Sequence, residues 1–289
     1  MNKIVVTGAT GHLGSAVIQT LLTKMQTGQI SIITRNKEKR AEFESKGFGA
    51  FLGGYDNVDA LENAMDGADT ILLISSGDQG DRMQEHKNVV NAAIKKGVKQ
   101  IAYTSRCLKD RNTLANTLME EHFETEDYII ASGLKYIIFR NSLYMDAIPQ
   151  FIGGQTALEN GIYLPAGDGE VAFALRCEMG EAMANVLMGA EFENRIYNFT
   201  GDKAYSFHDV AAALTDLSGN NIHYTNAETA AFKELMKQRN LPEPVIYKII
   251  DFITDIRHDQ EAGVYSDLEN WLGRKPTDLK AALQQLFAL

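Results

Sequence analysis

The chain has only two cysteines, five prolines and one tryptophan in 289 residues. Cys107 and Cys177 can form at most one bridge, which excludes a disulfide-stapled framework and suits reduced thiols in a cytoplasmic protein. No apolar run approaches the roughly 18 residues that a membrane-spanning helix needs. Met1-Asn2-Lys3 leads straight into an apolar segment, so no secretory leader is expected. The six histidines never pair at i, i+3 or i, i+4, which leaves no metal-ligand spacing. No G-x-S-x-G elbow follows any apolar segment, so a Ser-His-Asp hydrolase is not indicated.

Basic excess is lacking too: the formal net charge is -10. Through Met145 there are 17 Lys+Arg against 17 Asp+Glu, and from Asp146 onward 11 against 21. The whole excess therefore lies in the second half. A nucleic-acid partner would need a basic face, and a polybasic membrane anchor a basic cluster. The neutral half suits a polyanionic ligand, whereas the acidic half suits a neutral or cationic ring better than an anionic one.

What is present is an alternation of two periods. Ile4–Thr7, Ile30–Thr34, Phe48–Leu52, Thr70–Ser75, Val98–Thr104 and Tyr136–Phe139 are short apolar runs of strand type. Between them lie helical patterns at Leu13–Met25, Lys37–Lys46, Val58–Met65, Arg82–Lys96 and Thr113–Ala131. Such alternation predicts a parallel sheet with right-handed crossovers, covered on both faces and binding its ligand at the carboxyl ends of the strands. The expected architecture is α/β: a Rossmann-type doubly wound sheet over 1–145, joined by 175–200, with a smaller α+β domain over 146–289. In that second part, Ser206 is placed to cap a helix with Asp209 three positions on. Pro244–Ile256 is rich in large apolar groups, as a core helix is, or as a lid over a flat acceptor or a homodimer contact would be.

The first strand runs into Gly8-Ala9-Thr10-Gly11-His12-Leu13-Gly14. Gly8 permits the turn, Gly11 lets the backbone approach a pyrophosphate, and Gly14 lets the following helix pack closely. The phosphates would meet the N–H groups of that helix's first turn, around Thr10, His12 and Leu13. After the second strand comes Thr34-Arg35-Asn36-Lys37, with no acid before Glu38. An acid there would hold the ribose 2′-hydroxyl of NAD, whereas Arg35 can grip the 2′-phosphate of NADP; alternatively Arg35 and Lys37 simply begin a solvated helix. Other strand ends supply Tyr55 to edge the adenine, Ser75 and Ser76 to face the nicotinamide ribose, and Tyr103 to border the nicotinamide. Asn141 is a candidate to bond the carboxamide or the acceptor carbonyl, and Tyr144 to stack on a planar acceptor. Each of these positions could equally be an ordinary loop cap.

The stretches VVTGATGHLGSAVIQTLL, ITRN, LLISS, NVVNAAIKKGVKQIAYTS, HFETED, YIIFRNSLY and LGRKPTDLKAAL resemble the atypical short-chain dehydrogenase/reductase superfamily. More closely, they are similar to its NmrA-like branch, which includes NADPH:quinone oxidoreductases and triphenylmethane reductases. The resemblance spans nearly the whole chain and implies a Rossmann domain with a smaller domain closing over a nicotinamide. Most short-chain dehydrogenases carry Y-x-x-x-K followed four residues later by Glu. Aligned on Glu126, this chain reads Leu118-x-x-x-His122-x-x-x-Glu126 instead, and a leucine cannot move a proton. His122 is expected on the helix surface or beside the ribose. Alcohol/ketone chemistry is therefore disfavoured, and two readings stay open. One is hydride transfer from NADPH to a small planar hydrophobic acceptor, a quinone or an azo or triphenylmethane dye, in which Asn141 and Tyr144 would be the catalytic residues. The other is an NAD(P)-sensing regulator without turnover.

Overall fold

The computed structural model describes residues 3–77, 80–189 and 192–289; Met1 and Asn2, with which the N-terminal reading begins, lie outside them. The chain divides into two compact units, the first formed by Met1–Arg106, Glu121–Arg140 and Arg176–Tyr197. It opens with β1 (Ile4–Val6), α1 (His12–Leu21), β2 (Ile30–Thr34), α2 (Lys37–Ser45), β3 (Gly49–Leu52) and α3 (Val58–Ala64). There follow β4 (Thr70–Leu73), α4 (Arg82–Lys95), β5 (Gln100–Arg106), α5 (Glu120–Ala131) and β6 (Lys135–Asn141). The chain then passes through α6 (Ile148–Ile152), α7 (Ala157–Asn160), β7 (Ile162–Leu164) and β8 (Glu170–Val171) before α8 (Arg176–Gly189) and β9 (Arg195–Phe199).

Among the described residues seven strands form one sheet in the order β3-β2-β1-β4-β5-β6-β9, and the pairs from β3 to β5 are parallel. Strand order reverses between β1 and β4, which puts the ligand crevice of a doubly wound sheet at their carboxyl ends. All residues of β1, β2, β4 and β5 are buried, as strands covered on both faces must be. One core layer joins Leu61, Ile71, Val89, Val90, Ile101 and Ile129 around the fully buried Tyr103. Gly180 of α8 crosses α1 so closely that an added Cβ would stand 2.6 Å from the Ala16 Cβ.

The second unit holds Cys107–Glu120, Asn141–Leu175 and Asn198–Leu289. Residue 145, where the charge changes, thus falls inside a stretch grouped with the second unit. Beyond β9 this unit adds β10 (Tyr205–Ser206), α9 (Phe207–Ser218), β11 (Tyr224–Asn226) and α10 (Thr229–Gln238). It ends with α11 (Glu243–Arg257), α12 (Asp267–Leu272) and α13 (Leu279–Phe287). Its core gathers Phe173, Phe207, Val210, Leu214 and Leu283 with Ile246, Ile253 and Ile256 of α11. The apolar segment 244–256 is accordingly a packed core helix on that face, while Val245 and Tyr247 remain exposed. Cys107 is buried and Cys177 exposed.

One element departs from its sequence pattern. The helix expected over Thr113–Ala131 begins only at Glu120, after two 3-10 turns at Arg111–Thr113 and Thr117–Met119. Side chains compete for the backbone there. Asp110 and Asn116 accept from the N–H groups of Asn112 and Leu118. The Asp255 carboxylate takes the N–H groups of Ala115 and Asn116 at 2.6 and 3.1 Å. Short polar side chains that bond nearby N–H groups favour such turns over helix. Leu118 therefore stands in a turn ahead of α5.

Candidate dinucleotide site

The glycine turn fixes the site's floor. Gly8 has φ +60°, a left-handed conformation open to glycine at little cost. An added Cβ at Gly14 would stand 2.3 Å from the Gly8 carbonyl oxygen and 2.9 Å from the Ala9 Cα, so α1 rests directly on the turn. At Gly11 the same Cβ would meet only the Gly8 oxygen, at 3.4 Å, which leaves its outer side open to an approaching group. Gly11 is also the N-cap of α1; it supplies no side-chain cap, and no acid lies in the first turn. The helix thus begins with unfilled N–H donors and a positive dipole end, as an anion requires. Thr10 and His12 are exposed beside it. The Leu13 side chain is 5% exposed and belongs to the core, so a ligand can meet only its backbone.

Arg35 follows β2 and is exposed. Its aliphatic stem lies against Gly54, where an added Cβ would approach the Arg35 Cδ to 3.2 Å. The residue beyond it, Asn36, caps α2 by accepting from the Lys39 N–H. With Thr7, Gly8, Thr10, Ile33, Thr34, Gly53 and Tyr55, Arg35 lines a pocket of about 110 Å³. Gly54 lines it as well; the Asp56 carboxylate stands behind Gly54, 2.6 Å from an added Cβ, and no carboxylate is among the described lining residues. The chemistry of this donor set fits a phosphate on an adenosine ribose.

Tyr55, which also lines that pocket, has its hydroxyl engaged elsewhere. Its hydroxyl donates to the Ile74 carbonyl at 2.7 Å and lies 3.1 Å from the Thr7 Oγ1. Burial pushes this phenol up to about 12, with a bond to Thr7 opposing the shift. The Thr7 Oγ1 in turn accepts the Ile74 N–H at 2.9 Å. Ser75 donates its N–H to the Thr104 Oγ1 at 2.8 Å, and Ser76 donates its own to the His86 Nε2 at 3.1 Å. The loop after β4 is therefore held by side chains, and the Ser76 Oγ is buried without a hydrogen-bond partner among the described residues.

Two tyrosine and histidine assignments change. Tyr103, expected to border a nicotinamide, is 0% exposed and lies in the core. Alternation along β5 turns it to the face covered by α4 and α5. Its hydroxyl lies 2.9 Å from the His122 Nδ1, and its ring stands 5.3 Å from that of His86. It therefore offers no atom to a ligand. His122 is buried as well, neither on the surface nor open to a ribose. Burial holds its imidazole well below the usual range, with Arg82, Arg106 and His86 adding repulsion. Burial also raises the Tyr103 phenol. The two form a closed hydrogen bond rather than an acid–base pair.

Glu126 is 3% exposed and takes the Arg140 guanidinium in two-pronged fashion, at 3.0 Å from Nε and 2.6 Å from Nη2. The Ser105 hydroxyl also donates to it. The acid that anchors the sequence alignment is thus a structural ion pair.

Asn141 ends β6, is 0% exposed, and has neither amide atom bonded to a described residue. A buried amide left so is costly unless a ligand completes it. Tyr144 is half-buried and bridges Ala174 through its backbone.

Sequence reasoning missed Thr7, Arg82 and His86. A signal for the last two existed: Arg82, His86, Val89, Val90 and Ala93 share one buried helical face, so two polar residues occupy an apolar stripe.

A doubly wound parallel sheet, a glycine turn at its switch point and an arginine-lined pocket together define a Rossmann-type dinucleotide-binding protein. The chain belongs to the NmrA-like family, which it matches over residues 1–286. It is 35% identical over 288 residues to quinone oxidoreductase 2 of Escherichia coli (strain K12), covering 98% of each chain. The crystal structure of an Escherichia coli NADPH-dependent quinone oxidoreductase complexed with NADPH superposes with a TM-score of 0.89 at 33% identity, covering 98% of this chain and 99% of that one. A triphenylmethane reductase of Citrobacter sp. gives 0.91 at 31% identity, covering 99% and 100%. Among the described residues no helix is long and apolar enough to cross a membrane.

Proposed function

We propose that this protein is an NADPH-dependent oxidoreductase that passes hydride to a quinone or a related planar acceptor, such as an azo or triphenylmethane dye. The observation that carries the reading is the pocket that joins the glycine turn to the Arg35 guanidinium, with no carboxylate among its described lining residues. Relatives above 30% identity over almost the entire chain, named as quinone and triphenylmethane reductases, support the same class. NADPH, when bound, supplies the hydride. The N–H groups at the start of α1 would hold its pyrophosphate and Arg35 its 2′-phosphate, by a charge-assisted and bidentate contact.

The remaining residues would bind and orient. Ser75 and Ser76, on the loop after β4, would face the nicotinamide ribose, and the Asn141 amide is suited to a carboxamide or an acceptor carbonyl. Tyr144 offers a ring for stacking. With leucine at the position of the usual tyrosine, no side chain supplies a proton; an electron-poor acceptor can take its proton from solvent. Catalysis would then rest on proximity and orientation.

The test mixes purified protein and NADPH with benzoquinones, naphthoquinones, cationic triphenylmethane dyes and sulfonated azo dyes, following the loss of reduced-nicotinamide absorbance. Turnover with quinones is expected, and at low salt cationic dyes should be reduced faster than sulfonated ones. Tight NADPH binding without turnover on any acceptor would sink the reductase reading and leave a nucleotide-sensing regulator. Arg35→Ala should raise the KM for NADPH about tenfold or more and leave that for NADH nearly unchanged, because the guanidinium meets only the extra phosphate. Equal effects on both nucleotides would remove Arg35 from the phosphate.

A further inference from the structure

The loop Ile74–Gly77 leaves β4 with no regular structure to satisfy its backbone, and the Ser76 peptide is gripped by two side chains one turn apart on α4. His86 accepts the Ser76 N–H through Nε2 at 3.1 Å, and the Arg82 Nε donates to the Ser76 carbonyl at 3.2 Å. Both grips are braced on α5, again one turn apart. Arg82 pairs with Glu121 at 3.2 Å, and the His86 Nδ1 lies 2.9 Å from the Thr125 Oγ1. The Thr125 hydroxyl itself donates to the Glu121 carbonyl at 2.8 Å.

This arrangement sets the histidine's tautomer. An amide can only donate, so Nε2 must be bare and Nδ1 carries the proton, which goes to Thr125. The neutral form is also what the surroundings favour. Burial, followed by the nearby Arg82 charge, pushes the imidazole down to about 3. At 1% exposure His86 reaches no ligand itself. What its grip fixes is Ser76, whose Oγ is buried and without a protein partner among the described residues.

We infer that His86 is a positioning residue: with Arg82 it locks the Ser76 peptide so that the Ser76 hydroxyl meets the nicotinamide-ribose half of the bound nucleotide. The inference rests on the NADPH reading and adds a residue to it. Arg82 carries a second duty in its ion pair with Glu121, so His86 is the cleaner site to test.

Three substitutions in the full chain separate the roles of the two ring nitrogens. In His86→Gln a side-chain oxygen can reach the Nε2 position and keep the Ser76 contact. His86→Asn reaches only the Nδ1 position, and His86→Phe keeps volume without an acceptor. Affinity is read by titrating NADPH, with adenosine 2′,5′-bisphosphate as a ligand that lacks the nicotinamide half. The expected result is about a tenfold loss of NADPH affinity in His86→Phe and His86→Asn, within about threefold of wild type in His86→Gln, and unchanged bisphosphate affinity in all three. Ser76→Ala should weaken NADPH similarly, and the double variant Ser76→Ala/His86→Phe should be little worse than either single change, because both act through one contact.

A Gln variant as weak as the Phe variant, parallel losses for both ligands, or full additivity would each overturn the inference. If the histidine variants do not fold, normal NADPH affinity in Ser76→Ala overturns it, and a loss confined to NADPH upholds it. Failure of the wild-type chain to bind NADPH would instead overturn the nucleotide reading itself.

Discussion

At the residue scale, the three glycines of the first turn do different physical work, and the structure separates them. Gly14 faces backbone: a methyl group there would press on the Gly8 oxygen at 2.3 Å, and neither atom can rotate away. Gly11 has φ -80°, which any residue adopts, and a methyl group there meets one oxygen at 3.4 Å. Gly14→Ala should therefore lower thermal stability by about 1–3 kcal/mol, the usual cost of overpacking. Gly11→Ala should melt within about 0.5 kcal/mol of wild type, as substitutions without new strain do. It should nonetheless bind NADPH more weakly, since the methyl group stands where the pyrophosphate would lie. Melting curves and nucleotide titrations on the two variants check this. A Gly11→Ala chain that binds NADPH normally would move the pyrophosphate off the turn.

At the element scale, strands were legible wherever burial on both faces gave a continuous apolar run. Helices were legible wherever an apolar stripe recurred at 3.6 residues. The cap of α9 follows from Ser206 and Asp209. The structure shows that capping box in full, with the Ser206 Oγ accepting the Asp209 N–H at 3.2 Å and the Asp209 Oδ2 accepting the Ser206 N–H at 2.8 Å. Ser206→Ala should therefore cost about 1 kcal/mol in a denaturant titration; an unchanged midpoint would mean that the helix start is held by packing alone. Elements whose form depends on distant partners were not legible. The delayed start of α5 depends on Asp255, about 140 residues further along the chain, and no local pattern encodes such a partner. The same applies to the site. Gly8, Gly11 and Arg35 were readable as candidates because each stands in a pattern local to its own strand end. Tyr103 was misplaced because strand alternation, and not proximity to a strand end, decides which face a side chain takes, and His122 because it shares the buried face of α5 with Glu126 and Ile129.

At the scale of the whole molecule, charge and proton binding differ between the two units. The first carries 17 Lys+Arg against 19 Asp+Glu and the second 11 against 19, so the acidic excess stays with the second unit when the boundary is drawn by structure. The first unit also buries two neutral imidazoles, His86 and His122, whose folded values lie below the usual 6.5, that of His86 at about 3. Below pH 6.5 the unfolded chain takes up protons at these histidines and the folded chain does not. Stability must then fall as pH falls, from about 6.5 down toward 3. For His86 the loss is about 1.4 kcal/mol per pH unit in that window, or roughly 2 kcal/mol between pH 7 and pH 5, and His122 acts in the same direction. The second unit contains a shift of opposite sense: burial raises the Asp255 carboxyl despite its two backbone donors, and burial together with Asp255 raises Asp251. A raised carboxyl contributes stability at low pH that is lost as pH rises through its folded value, so acid relieves these groups while it stresses the histidines. Calorimetric melts from pH 7.5 to pH 5 should therefore show a declining transition, and His86→Gln should flatten the decline by removing one of the two imidazoles. A wild-type melting temperature constant across that range would mean that the two histidines take up protons in the folded state, which the bare His86 Nε2 facing the Ser76 N–H does not allow.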